Sequence, residues 1–175
     1  EKLPSNALVN CRATSFAQTF AYCYLLKELP SFKLYEGTTD VCNMFKFCES
    51  LEYLPNGFTI PSTVTKAFSM FSECDKLREL PEGFSLSPNA KEYYGFFYNC
   101  HSLKRLPNSF RLPSNTTNIM DLFYGCDSLE TIPDNFEIPA STINITYAFL
   151  SCKSRRKISA GQRKYSNRRR DPSDG

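Results

Sequence analysis

The sequence predicts a repeat solenoid, with short parallel strands on one face and short helical or 3-10 segments and loops on the other. Three observations carry this. The pair Leu-Pro, once Ile-Pro, recurs at Leu3-Pro4, Leu29-Pro30, Leu54-Pro55, Leu80-Pro81, Leu106-Pro107 and Ile132-Pro133, at intervals of 26, 25, 26, 26 and 26 residues. Cysteine keeps the same period at Cys23, Cys48, Cys74, Cys100, Cys126 and Cys152. Three residues before each of these lies a phenylalanine: Phe20, Phe45, Phe71, Phe97, Phe123 and Phe149. A unit this short cannot bury its own apolar side, so like residues must stack one rung apart into a continuous core.

The other columns place the elements in order. Leucine follows each cysteine by three residues, at Leu26, Leu51, Leu77, Leu103 and Leu129. A second phenylalanine lies beyond the Pro (Phe32, Phe58, Phe84, Phe110, Phe136), and two residues on come Leu34, Ile60, Leu86, Leu112 and Ile138. The unit therefore reads F-x-x-C-x-x-L-x-x-L-P-x-x-F-x-[IL]-P, followed by a polar Ser/Thr/Asn stretch. Leu-x-x-Leu-Pro is the strand. Its proline has no N–H to give to a ladder, so the strand ends there. Parallel rungs would lie ~4.8 Å apart. Before the cysteine, Ile119, Leu122, Phe123 and Cys126 fall at spacings of three, one and three, which is one face of a helical turn or two.

Charge divides the chain. Residues 153–175 carry nine Lys/Arg and two Asp, a net +7, which leaves −4 on residues 1–152. The chain thus reads as a solenoid of about five to six units over 1–152 and a basic, disordered tail over 153–175. No apolar run approaches the ~18 residues of a membrane span. The chain opens at Glu1 with Leu3-Pro4 already in mid-unit. That start reads as a processed form or an excised fragment.

The inventory is poor in catalytic chemistry. There is one histidine, His101, and there is no Gly-rich phosphate loop, G-x-S-x-G or H-E-x-x-H. The reading is a non-enzyme without cofactor or metal. Eight cysteines raise disulfide or metal chemistry, yet six are one per unit and none forms C-x-x-C. As a stacked column at a core position they read as small buried apolar residues. Cys11 and Cys42 stand outside the column and could pair or remain free. Two sequons, Asn115-Thr116-Thr117 and Asn144-Ile145-Thr146, fall in or near the polar stretch.

In Met120-Asp121-Leu122-Phe123-Tyr124-Gly125-Cys126-Asp127-Ser128-Leu129 the chain resembles the leucine-rich repeats of BspA-like bacterial surface proteins, whose variant of this length carries a similar M-F-x-x-C-x-S-L core. Met44 to Leu51 and Met70 to Leu77 repeat it, and the resemblance covers roughly residues 3–152. The chain departs from that family in its Leu-Pro pair, where Leu-x-Leu is more usual, and so in strand length. The resemblance implies a curved right-handed solenoid, cell-surface or secreted placement, and protein or glycan binding.

Function then falls to positions that the repeat leaves variable. The two residues before each Leu-Pro read Lys27-Glu28, Glu52-Tyr53, Arg78-Glu79, Lys104-Arg105 and Glu130-Thr131. They form either a solvated face with cross-rung charge pairs or a recognition strip centred on Tyr53, Arg78, Glu79, Lys104, Arg105 and Glu130, in which Tyr and Arg are favoured anchors. Two alternatives use other parts of the chain. Arg155, Arg156, Lys157, Arg168, Arg169 and Arg170 could bind nucleic acid by counterion release. An uncapped terminal rung could dock another subunit as a structural scaffold.

Overall fold

The computed structural model describes residues 2–8 and 10–152. The basic segment, with Arg155, Arg156, Lys157, Arg168, Arg169 and Arg170, lies outside the described residues. Six rungs succeed one another, each named here by its column cysteine, from Cys23 in rung 1 to Cys152 in rung 6.

On one side the rungs pair as parallel strands at a single position. Lys2, Glu28, Tyr53, Glu79, Arg105 and Thr131 form a line of parallel bridges. Each bridging residue is followed by Leu-Pro or Ile-Pro where the chain continues in register, so the missing proline N–H ends the strand at once. The backbone keeps the register. Glu52 N–H donates to the Lys27 carbonyl at 3.2 Å, Arg78 to Glu52 at 3.1 Å, Lys104 to Arg78 at 3.0 Å and Glu130 to Lys104 at 2.9 Å.

The opposite side differs from the helical expectation. Among the described residues the segment before each cysteine is a run of interlocked turns and no helix. Its N–H groups alternate in destination. In rung 2, Val41, Asn43, Phe45 and Phe47 donate to Lys66, Phe68, Met70 and Ser72 of rung 3, while Met44, Lys46 and Cys48 donate to Val41, Asn43 and Phe45 within the rung. Every second donor therefore closes an i→i−3 turn, and the others build the inter-rung ladder. A continuous helix would keep all of them inside the segment.

Backbone geometry follows from this division. The residues five and one before each cysteine take positive φ: Gln18 and Tyr22, Asn43 and Phe47, Ser69 and Glu73, Gly95 and Asn99, Asp121 and Gly125, Tyr147 and Ser151. None is β-branched, the class for which that region is least accessible. Ile119, Leu122, Phe123 and Cys126 are all buried, so the helix-like spacing correctly marks the inward positions. The positive φ at Asp121 and Gly125 is what keeps them from forming a helix. Gly125 has a second constraint, because a Cβ there would overlap the Asn99 side chain.

Two phenylalanine ladders fill the core. Along the first, ring centroids of Phe20, Phe45, Phe71, Phe97, Phe123 and Phe149 succeed one another at 5.5, 5.4, 5.7, 5.5 and 5.6 Å. Phe32, Phe58, Phe84, Phe110 and Phe136 form the second, at 5.6, 6.5, 6.4 and 6.2 Å. The two meet edge-on, as where Phe71 faces Phe58 and Phe84. Offset stacks and edge contacts are the favoured aromatic arrangements, each worth about 0.5–1.5 kcal/mol beyond area burial.

The ladder is interrupted once among the described residues. No bridge joins Lys66 to Glu92, and Ala67 N–H donates to no carbonyl of rung 4. Here Leu86-Ser87-Pro88 replaces the usual [IL]-P. Ser87 is buried, its hydroxyl donating to the Val64 carbonyl at 2.6 Å and its carbonyl accepting from the Tyr93 hydroxyl at 2.6 Å.

A graded response to truncation is expected from a stacked core. Phe71→Ala, at a fully buried central rung, should lower stability by about 3–5 kcal/mol. Phe149→Ala, at a half-buried terminal rung, should cost far less. Urea titrations of both variants check this; equal losses would contradict a rung-by-rung core.

Candidate binding surface

The six strip residues come together as two adjacent columns on the strand side. Glu52, Arg78, Lys104 and Glu130 form one, linked through the backbone bonds given above; Tyr53, Glu79, Arg105 and Thr131 form the other, joined by parallel bridges. Much of this strip is paired internally. Arg78 meets Glu52 at 3.1 Å and lies over the Tyr53 ring, 5.9 Å from its centroid. Arg105 meets Glu79 at 2.9 Å, and Lys2 pairs with Glu28 at 2.6 Å. The pairs are solvent-exposed, so each is worth about 1 kcal/mol at most. Their larger effect is to order long side chains that would otherwise be mobile. Tyr53 remains 44% exposed. Lys104 and Glu130 are also exposed, with no side-chain ion pair among the described residues.

Three further aromatic pairs on the turn side, half-buried except for the exposed Tyr22, escape a reading based on Phe, Leu and Cys columns. Tyr22 stacks on Phe47 at 5.0 Å, Phe68 on Tyr94 at 4.6 Å and Tyr98 on Tyr124 at 4.9 Å. Lys46 lies over Phe47 at 5.6 Å. Beside them Asn99 Nδ2 donates to the Glu73 carboxylate at 3.2 Å. Partial burial raises the pKa of Glu73 and of Asp121. The aromatic enrichment at the positions two and one before the cysteine (Tyr98, Tyr124, Tyr22, Phe47) was the available signal. His101 is exposed and its Nδ1 lies 2.9 Å from Asp127.

The cysteines have a structural task beyond filling space. The thiols of Cys48, Cys74, Cys100, Cys126 and Cys152 each donate to the carbonyl of the column phenylalanine one rung earlier, at 3.1, 3.2, 3.1, 3.1 and 2.9 Å. Serine would be a stronger donor, but its hydroxyl costs more to bury. Cys23 departs from the buried column: it is exposed, because no preceding turn covers it. Cys11 and Cys42 are both free, Cys11 half-buried and Cys42 buried. Burial pushes the thiols of Cys42 and Cys48 up to about 12, and those of Cys74, Cys100 and Cys126 upward as well. Such thiols are poor nucleophiles at neutral pH. Among the described residues no group of three or more His, Cys, Asp or Glu is placed to hold a metal ion, and no helix is long and apolar enough to cross a membrane. Asn115 Oδ1, in the first sequon, is buried with no hydrogen-bond partner, whereas Asn144 Oδ1 accepts from Thr146 N–H at 3.1 Å.

This architecture is that of the leucine-rich repeat proteins. A T. pallidum leucine-rich repeat protein matches over 95% of this chain and 80% of its own, with a TM-score of 0.53 and 18% identity. A leucine-rich repeat protein from Eubacterium ventriosum matches over 87% of this chain and 42% of its own (TM-score 0.49, 18% identity), and one from Bacteroides ovatus over 78% and 44% (TM-score 0.36, 19% identity). No family profile matches the sequence, and comparison with curated proteins finds no match. At this identity the likeness concerns the fold.

The thiol column gives a pH dependence of defined sign. An unfolded cysteine ionises near its ordinary value of 9.0, whereas Cys48 in the folded chain holds its proton to about 12. Between these values the unfolded state releases protons that the folded state keeps. Stability is therefore fully present below pH 9 and should fall as pH rises toward 12. Denaturant midpoints taken across that range should decline, with a shallower decline in Cys48→Ala. A flat profile would show that the column is not buried as described.

Proposed function

We propose that this leucine-rich-repeat chain is a non-catalytic binding or adhesion module, related to the BspA-like surface proteins, that presents its strand side to a protein or glycan ligand at the cell surface or in the secreted space. The observation that carries the reading is the Tyr53–Arg78 pair on the two-column strip. An exposed aromatic ring lies under a guanidinium that is itself held by Glu52, and Arg105 is held by Glu79 in the next rung. Side chains ordered before binding lose less entropy on binding, and Tyr and Arg supply most anchor residues at interfaces. Lys104 and Glu130 add exposed charge of both signs beside that pair. The mechanism is passive: a rigid frame holds a patterned surface, and selectivity resides in the side chains of successive rungs.

The test is a screen of the labelled chain on glycan and purified-protein arrays, repeated with Tyr53→Ala and with Arg78→Glu/Arg105→Glu. Both variants alter exposed side chains, so thermal transitions should move little. Signals that belong to the strip should weaken tenfold or more. Signals that survive both variants would place recognition elsewhere. A signal on nucleic acid that weakens steeply with salt would instead favour a role for Arg155, Arg156, Lys157, Arg168, Arg169 and Arg170.

A further inference from the structure

The seam between rungs 3 and 4 is built differently from every other seam among the described residues. Elsewhere the residue seven before the cysteine donates its N–H across to the next rung, as Val41 does to Lys66, Tyr93 to Asn118 and Ile119 to Asn144. Its own carbonyl then closes a turn, accepting from Met44 N–H at Val41 and from Leu122 N–H at Ile119. In rung 3 both bonds are missing, so that Ala67 N–H and Met70 N–H have no acceptor among the described residues. Lys91 N–H also fails to reach the Thr65 carbonyl. From the same place in their rungs, Thr65 reaches Thr39 at 2.9 Å and Thr117 reaches Lys91 at 2.8 Å. Ala90 N–H is unpaired as well, where Val64, Thr116 and Thr142 each donate three residues back. Ala67, Met70 and Ala90 are fully buried, and a buried N–H without a partner is rare in folded proteins.

Three side chains account for the difference. The position eight before the cysteine is Ser15, Asp40, Asn118 and Asn144 in rungs 1, 2, 5 and 6. Its side-chain oxygen accepts from the N–H two residues on, at 3.2, 3.0, 3.0 and 3.1 Å. In rungs 3 and 4 Lys66 and Glu92 stand there, and the N–H groups of Phe68 and Tyr94 lack that bond. Lysine has no acceptor to offer. The third is Tyr93, in a column otherwise held by Phe16, Val41, Ala67, Ile119 and Ile145. Its hydroxyl takes the Ser87 carbonyl at 2.6 Å, the acceptor that Ala90 N–H would otherwise use. On this edge only side chains cross the seam: the Ser87 hydroxyl donates to the Val64 carbonyl at 2.6 Å, and Asn89 Nδ2 to the Ser62 carbonyl at 2.7 Å. The strand side stays joined, by the Glu79–Arg105 bridge and by Lys104 N–H on the Arg78 carbonyl.

We infer that this seam is a water-filled joint in the solenoid. Water partners the unpaired groups at the edge, as buried polar groups require. Rungs 1–3 turn against rungs 4–6 about the intact strand side. Cohesion in a repeat array is a nearest-neighbour property, so the array opens here before it opens at any other internal seam. The strand-side strip lies at the hinge, where Arg78 and Glu79 adjoin Lys104 and Arg105 across the seam. The two halves therefore change their relative tilt without breaking it.

Native-state hydrogen exchange of the full chain, followed amide by amide by NMR, tests this. The informative amides are Ser69 and Phe71, which still donate across the seam to Tyr94 and Phe96 at 3.0 Å each. Their bonds resemble those of Asn43 and Phe45, at 3.1 and 2.9 Å, and of Gly95 and Phe97, at 2.8 and 2.9 Å. An opening joint should lower the protection factors of Ser69 and Phe71 by about tenfold or more below those of both neighbouring rungs. Fraying from the ends alone gives the reverse, with protection greatest at the centre. Ser87→Ala removes the hydroxyl that crosses the edge. It should lower protection at Ser69 and Phe71 further and leave Asn43 and Asp121 unchanged. Equal protection in rungs 2, 3 and 4, or a Ser87→Ala loss spread evenly over all rungs, would overturn the proposal.

Discussion

The structure depends on one division of labour in the backbone. On the turn side, alternate N–H groups leave their own rung and bond to the next, while the remainder close turns within it. This arrangement satisfies the buried donors without helix or extended strand, as burial requires. It also has a conformational cost. Ten non-glycine residues in the six rungs hold positive φ, a region that is costly for most side chains by about 1–2 kcal/mol each. Such strain persists only where the surroundings over-determine the backbone. Here they do, because each strained residue's N–H is itself an inter-rung donor in rungs 1 to 5. The phenylalanine ladders then fill what the backbone encloses, and the thiols return one further bond to the phenylalanine carbonyls.

This division also accounts for what the sequence disclosed. The columns of Phe, Leu and Cys are spaced by a translation, and translation is what period reports. The solenoid, its core residues and the early end of each strand at Leu-Pro were therefore legible. The secondary structure of the turn side was not, because Ile119, Leu122, Phe123 and Cys126 occupy inward positions whose spacing a helical face shares. What separates the two cases is the fate of the N–H at Asp121, Phe123 and Gly125. That fate is set by carbonyls 25 residues further on, beyond any local window. The absence of β-branched residues from the positions five and one before the cysteine was the sequence's trace of positive φ, and it becomes meaningful only once the backbone is known.

The strand side shows a different limit. Its variable residues were visible as variable, but charge pairing across rungs depends on side-chain reach. The sequence offered cross-rung charge pairs and a recognition strip as alternatives, and Arg78 with Glu52 and Arg105 with Glu79 make the strip largely self-neutralised. The pairs add little stability, being exposed. A ligand of either net charge would have to displace or share them, so recognition there would favour surfaces that engage the Tyr53 ring and the planar guanidinium above it over simple charge attraction.

The exposed Cys23 follows from the same register. The column cysteine is buried only where a turn precedes it, so the properties of that position are set jointly by two rungs. Cys48 and Cys23 are chemically identical and equally placed in their units, yet one is buried and the other is exposed. The repeat therefore specifies an interface as much as a fold. An inner rung and a terminal rung share the phenylalanine and cysteine columns and differ in what lies beside those columns.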